Sequence, residues 1–172
     1  MKINFSNQEF IPDSNSIFLA GPTTRKSSFE LSWRNTACQY LDMVLHYDGV
    51  VYVPEFDSGS LSEDDLLRQM EWEKKGLMGA GAILFNLCRK FPENPGLTTN
   101  VEFGRYLTKR PNNTILCSPK DADKNRYLEW QFLDERPEAI IYRELNSALN
   151  AAVLVAHDNA SGLLHMPVIK NS

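Results

Sequence analysis

Ser16-Ile17-Phe18-Leu19-Ala20, followed at once by Gly21-Pro22, is a short apolar run cut off by two breakers, the pattern of a buried strand ending in a tight turn. Beyond the turn, Ser27 and Glu30 have capping-box spacing. Phe29, Trp33, Ala37, Tyr40, Leu41, Val44 and Leu45 then recur at threes and fours, predicting a helix closed by Asp48-Gly49. Val50-Val51-Tyr52-Val53-Pro54 is β-branched and aromatic, bounded by Gly and Pro, and predicts a second buried strand. Strand, helix and strand in this order form the unit from which parallel sheets are built.

The unit repeats along the chain. A helix is expected from Ser62 to Met78, with Leu66, Met70 and Leu77 as its apolar arc and Glu73 on the edge of that arc. Gly81-Ala82-Ile83-Leu84-Phe85-Asn86 predicts a third strand, and a loop with two prolines leads to a helix from Thr98-Thr99 to Lys109. Thr114 to Pro119 predicts a fourth strand, Asp123 to Asp134 a helix, Ala139 to Tyr142 a fifth strand and Glu144 to Val155 a closing helix. The N-terminal residues before Ser16 read as a polar lead-in. Each strand is a continuous apolar run rather than an alternating one, as happens when helices cover both faces of a sheet. The expectation is a doubly wound α/β fold, a flavodoxin-like three-layer sandwich with a mainly parallel five-stranded sheet. No repeat or linker divides the chain, so residues 1–172 read as one domain, with its core over 16–118 and a C-terminal strand and helix over 139–156.

Eighteen Lys plus Arg against 22 Asp plus Glu give a net charge of −4, and there is no lysine-rich run. That balance argues against a general nucleic-acid binder, whose affinity rests on Lys and Arg contacts to phosphate. The first ten residues contain no apolar signal segment, and the longest uncharged run, Gly76 to Cys88, is far short of the ~20 apolar residues of a membrane span. A cytoplasmic protein without membrane attachment is expected. Cys38, Cys88 and Cys117 are far apart, with no C-x-x-C and no histidine at ligand spacing, so they read as buried thiols, and no metal or other cofactor is expected.

In an open α/β sheet the ligand crevice lies beyond the carboxyl ends of the strands, where the strand order reverses. That rule selects Gly21-Pro22-Thr23-Thr24-Arg25, Pro54-Glu55-Phe56-Asp57, Asn86 to Gly96 and Ser118-Pro119-Lys120-Asp121. No G-x-G-x-x-G and no Walker sequence is present, so neither a Rossmann dinucleotide site nor a P-loop is supported. Gly96-Leu97-Thr98-Thr99-Asn100-Val101-Glu102-Phe103-Gly104 places a carboxylate near the start of a helix that points at the crevice. Glu102 is either the far end of a capping box with Thr99 or a group aimed at a ligand. Glu73 either snorkels outward or brings a second carboxylate to the same place. Two carboxylates at one crevice fit glycosyl transfer, one as nucleophile on an anomeric carbon and the other assisting the leaving group.

These pieces occur in a definite order: Ile17-Phe18-Leu19-Ala20-Gly21-Pro22, Trp33-Arg34, Val53-Pro54-Glu55, Trp72-Glu73 ahead of Ala80 to Asn86, then Thr98 to Gly104. The order resembles the nucleoside 2-deoxyribosyltransferase family from about Ser16 to Ser118. The resemblance implies that Glu102 is the nucleophile, with Gly104 as the family's matching glycine, and that Glu73 faces the base. It also implies that the first loop, Gly21, Pro22, Thr23 and Thr24, lines the pocket; Thr99 is a further substrate-binding candidate. It implies transfer of 2-deoxyribose between nucleobases through a covalent glutamyl sugar, with a nucleoside or nucleotide and a free base as partners and a homo-oligomeric assembly. The tail from Leu163 to Ser172 is a candidate for completing a partner's pocket.

The sequence departs from the family at one functional position. Classical members carry an aspartate six residues before the nucleophile, holding the sugar 5′-hydroxyl, and Gly96 stands there. Arg25, Arg89 and Lys90 lie in the same loops and are either solvated charges or partners for a 5′-phosphate. Asn86 is a further candidate donor to ribose or base. Two alternatives therefore stand beside the transferase: a hydrolase of nucleoside 5′-monophosphates, and a non-catalytic nucleotide-binding module. A glycohydrolase acting on a dinucleotide is a more distant third.

His46, His157 and His165 form no triad or metal pattern, and Ser118 lacks a nucleophile elbow. Trp33, Trp72 and Trp130 are expected on helices, with Trp72 off the apolar arc and so a candidate for a subunit contact.

Overall fold

The computed structural model describes residues 1–23, 29–56 and 63–162. Six strands alternate with five helices: β1 (Lys2–Phe5), β2 (Ser16–Ala20), α1 (Trp33–Met43), β3 (Val50–Val53), α2 (Glu63–Gly79), β4 (Ala82–Asn86), α3 (Leu97–Lys109), β5 (Thr114–Cys117), α4 (Arg126–Glu135), β6 (Ile141–Tyr142) and α5 (Leu145–Ala160). One sheet holds all six in the order β1-β3-β2-β4-β5-β6, with every neighbouring pair parallel. Every residue of β2, β3, β4 and β5 is buried, which is why these strands read as unbroken apolar runs.

The expected doubly wound sheet is present. Without β1 the order is second, first, third, fourth, fifth, the flavodoxin-like arrangement. Two cores lie on the two faces. Ile17, Leu19, Val51, Val53, Leu84 and Cys117 pack with α1 and α5, while Phe18, Tyr52, Ile83, Phe85 and Leu116 pack with α2, α3 and α4. The reversal of strand order falls between β2 and β4, which pair from Ile17 opposite Ala82 to Ala20 opposite Phe85.

Several expectations need correction. The lead-in contains the sixth strand, β1, an edge strand beside β3. Its Asn4 is buried but fully used: the side chain donates to Glu9 O at 2.9 Å and accepts from Ile11 N at 3.1 Å. Helix α1 starts later than expected. A short 3-10 turn over Phe29–Leu31 precedes it, and its cap is Ser32, whose hydroxyl accepts from Arg34 N; Ser27 lies outside the described residues. Val44 ends α1 and is exposed.

The apolar arc assigned to α2 also fails. Leu66 and Met70 are exposed, whereas Trp72 is buried among Phe10, Phe18 and Tyr52, so it is a core residue and not a subunit contact. The inward stripe is Gln69, Trp72, Glu73, Gly76, Leu77 and Ala80. Gly76 explains the rotation: a Cβ there would stand 2.5 Å from the Phe18 ring, so only glycine lets the helix settle this close to the sheet. Helix α4 begins three residues later than expected, because Lys124 takes a left-handed φ of 53° just before it.

Candidate active site

At the carboxyl ends of β2 and β4 the chain turns sharply. Gly21 has φ of 149°, and a Cβ on it would meet Asn86 O at 2.4 Å and Trp33 at 3.1 Å. Two residues of α1 hold the loop that follows. Trp33 Nε1 donates to Pro22 O at 3.1 Å. Arg34, only 1% exposed, donates from Nε to Leu19 O (2.8 Å), from Nη2 to Gly21 O (2.7 Å) and from Nη1 to Thr23 Oγ1 (2.9 Å). Its charge is met by Glu55, just past β3, at 2.6 Å, and Ser32 donates to the same carboxylate oxygen at 2.6 Å. Pairing of this kind is what permits a guanidinium to be buried.

Helix α3 enters beside this loop. Its cap is Gly96, left-handed at φ of 58°, where a Cβ would lie 2.8 Å from Pro22 Cγ. An aspartate here, as in classical members, would meet Pro22 and a left-handed backbone. Thr99 lies inside the helix and is buried, so it does not cap it, and Glu102 is not the partner in a capping box. Glu102 instead joins the inward stripe Thr99, Phe103, Tyr106 and Leu107, at the half-buried edge.

Glu73 occupies the matching edge of α2, half-buried, and accepts a hydrogen bond from Gln69 Nε2 at 2.8 Å. Burial raises its pKa, with the Gln69 bond and the Arg34 charge opposing. Burial likewise pushes Glu102 up, from 4.5 to about 7, reinforced by the negative charge of Glu73 and opposed by Arg34. Both carboxylates feel one buried guanidinium and Glu73 also acts on Glu102, so they form a pair in which Glu102 gains or loses its proton near neutrality.

The third wall comes from the residues after β4. Asn86 is 3% exposed and its Oδ1 has no partner among the described residues. Arg89 is 2% exposed; its Nη2 donates to Asn100 Oδ1 of α3 at 2.8 Å, and its Nε is unpartnered. Arg89 is thus no solvated loop charge. Lys90 is tied to Asp121 at 3.1 Å, and Arg25 lies outside the described residues. Buried polar atoms without partners are rare in folded proteins, and two of those found here, Asn86 Oδ1 and Arg89 Nε, lie at or just beyond the carboxyl end of β4.

The family model for proteins like nucleoside 2-deoxyribosyltransferases matches residues 14–122. The chain belongs to this nucleoside 2-deoxyribosyltransferase-like family. No curated protein matches the chain. The matched span runs from just before β2 to just after β5 and contains Gly21 to Thr23, Glu73, Asn86, Arg89 and Glu102.

Arg34, Glu55, Ser32 and Asn100 belong to this site and were not foreseen as site residues. Arg34 and Glu55 stood in the ordered motifs, Glu55 also in the loop after its strand, and Asn100 in the Gly96 to Gly104 stretch, whereas Ser32 left no signal. Other groups stay out of it. Cys38 and Cys117 are pushed up to about 12 by burial, so neither is an activated thiol. Ser118 donates to Glu129 and accepts from Asn125 in a separate network with Arg143. Among the described residues no His, Cys, Asp and Glu cluster has the geometry to hold a metal ion, and no helix is long and apolar enough to cross a membrane. A shallow hollow lined by Phe10, Asp13, Tyr52 and Gly79 opens at the opposite, amino-terminal edge of the sheet.

Proposed function

We propose that this protein breaks the N-glycosidic bond of 2′-deoxynucleosides and passes the sugar to a second nucleobase, with Glu102 as nucleophile and Glu73 at the base. The observation that carries this reading is the coupled pair itself: Glu102, with a pKa near 7, beside Glu73 at the switch point of a family member's sheet. A carboxylate Oε of Glu102 attacks C1′ while the C1′–N bond breaks and its electron pair leaves with the base. The proton held by the pair passes through Glu73 to the departing base nitrogen. An incoming base nitrogen then attacks C1′, the ester C–O bond returns its electron pair to Glu102, and the proton shed by the new base returns to Glu73. Water in place of the base gives hydrolysis.

A second reading, hydrolysis of nucleoside 5′-monophosphates, is favoured by one observation. The unpartnered Nε of buried Arg89 is a charged donor without an acceptor, and Gly96 removes the carboxylate that suits a free 5′-hydroxyl. Exposed Leu66, Leu67 and Met70 on α2 with Leu97 and Val101 on α3 support a homo-oligomer.

Chromatography of products after incubation with deoxyadenosine, thymidine and their 5′-monophosphates, with and without a second free base, tests the proposal. A new deoxynucleoside that needs both the acceptor base and Glu102 is expected. Free base without exchange favours the hydrolase, and no product that Glu102→Ala abolishes favours a binding module.

A further inference from the structure

We infer that Trp33 and Arg34, completed by Glu55, are positioning residues that place Glu102 by clamping the loop after β2. The inference rests on the reading of Glu102 as nucleophile. Two consecutive residues at the start of α1 hold four acceptors between residues 19 and 23: Leu19 O, Gly21 O, Pro22 O and Thr23 Oγ1. The guanidinium also lies over the Trp33 ring, 4.6 Å from its centroid.

The clamp is itself anchored from the far side. Glu55 accepts from Arg34 and Ser32 through its carboxylate, and its backbone carbonyl accepts from both N and Oγ of Ser6, at 3.1 and 3.0 Å. A buried ion pair is weak evidence for stability, since apolar replacements of the same volume often do as well. Its planar fork, by contrast, fixes several acceptors in one geometry, which an apolar pair or a lysine does not.

What the clamp fixes is the neighbour of α3. Gly21 abuts Asn86 and Pro22 abuts Gly96, the cap of α3, at distances that leave no room for a Cβ. The helix start is therefore set by the loop, and Glu102 stands six residues further on the same rigid helix. A misplacement of about 1 Å at a reacting group costs ~10²-fold in rate.

The test uses the full chain. Arg34→Met with Glu55→Met removes both charges together and leaves no unpaired ion buried, while Arg34→Lys keeps the charge and loses the fork. Hydrogen exchange of residues 19–23 and 96–102 is followed without substrate, alongside thermal melting and kcat and KM for base exchange. We expect the double variant to melt as a folded protein, with exchange at least tenfold faster in both segments and unchanged in β4 and β5. Its kcat falls ~10²-fold with KM altered less, and Arg34→Lys restores only part of that loss. Unchanged exchange at 19–23, loosening that stops short of 96–102, or a loosened loop with normal kcat each overturns the inference. If the double variant does not fold, Trp33→Phe, which removes the bond to Pro22 O together with the part of the indole packed at Gly21, is read by the same criteria. If the wild type forms no Glu102-dependent product, the catalytic reading fails and the exchange data alone decide whether the clamp sets the start of α3.

Discussion

Glu102 on α3 is taken from 4.5 to about 7 by burial, and the charge of Glu73 on α2 adds to that rise. Both side chains lie at the half-buried edge of the stripe their helix turns to the sheet. In the proposed reaction the working form of the pair carries one proton, so kcat/KM is bell-shaped and its upper limb lies near pH 7, where the last proton leaves. Glu73→Gln removes the proton donor to the base and the charge that raises Glu102. Activity is expected to fall by ~10²-fold or more, and the remainder to rise with pH as Glu102 ionises, the reverse of the wild-type upper limb. A pH–rate series on both proteins reads this, and an upper limb in Glu73→Gln like that of the wild type contradicts the assignment.

The same shift has a consequence for stability. Between pH 4.5 and about 7 the native state holds a proton on Glu102 that the unfolded chain has released, so stability falls as pH rises through that window. Above it, the ionised carboxylate costs the fold about 3 kcal/mol as an order of magnitude. Glu102→Gln is therefore expected to be inactive yet more resistant to urea than the wild type at pH 8, with the difference vanishing at pH 4. Equal midpoints at pH 8 would show that Glu102 is not strained by burial.

Gly96 is where this chain parts from the classical pattern, and the backbone explains why. With φ of 58° and Pro22 Cγ 2.8 Å from any Cβ, a side chain there meets both a left-handed backbone and a wall. Gly96→Ala is expected to cost about 1–2 kcal/mol from the backbone alone, and Gly96→Asp to destabilise likewise without restoring a 5′-hydroxyl contact. Urea denaturation gives the first, and the KM for an unphosphorylated deoxynucleoside such as thymidine gives the second.

The four central strands are legible in the sequence because total burial leaves mostly apolar residues between breakers, and the family-like order of motifs is what singles out Glu102 and Glu73. What escapes is whatever depends on a distant partner. β1 is four residues long, and its buried Asn4 is acceptable only because the loop at Glu9 and Ile11 satisfies it. The face of α2 is set by Gly76 meeting Phe18, so hydrophobicity alone chose Leu66 and Met70 wrongly. The partner of Arg34 is not legible from its own helix, because Glu55 lies 21 residues away and meets it only in the folded chain. This logic makes Gly76→Val a strong packing probe. A side chain 2.5 Å from the Phe18 ring lifts α2 from the sheet, and a loss of about 1–3 kcal/mol in urea denaturation is expected.

Arg89 separates the two catalytic readings. It is buried, its Nη2 is engaged by Asn100, its Nε has no acceptor among the described residues, and burial lowers its pKa. A phosphate on the sugar 5′-oxygen supplies the missing acceptor through a charge-assisted bond, whereas a free hydroxyl supplies only a neutral one. If nucleotides are the substrate, Arg89→Ala raises KM for a deoxynucleoside 5′-monophosphate by ~10-fold or more and leaves that for the unphosphorylated nucleoside nearly unchanged. Arg89→Lys restores charge without the fork and recovers little. Equal effects on both substrates would assign Arg89 to holding α3 through Asn100. Steady-state kinetics on the paired substrates, with Asn100→Ala as the control for that structural role, decides between them.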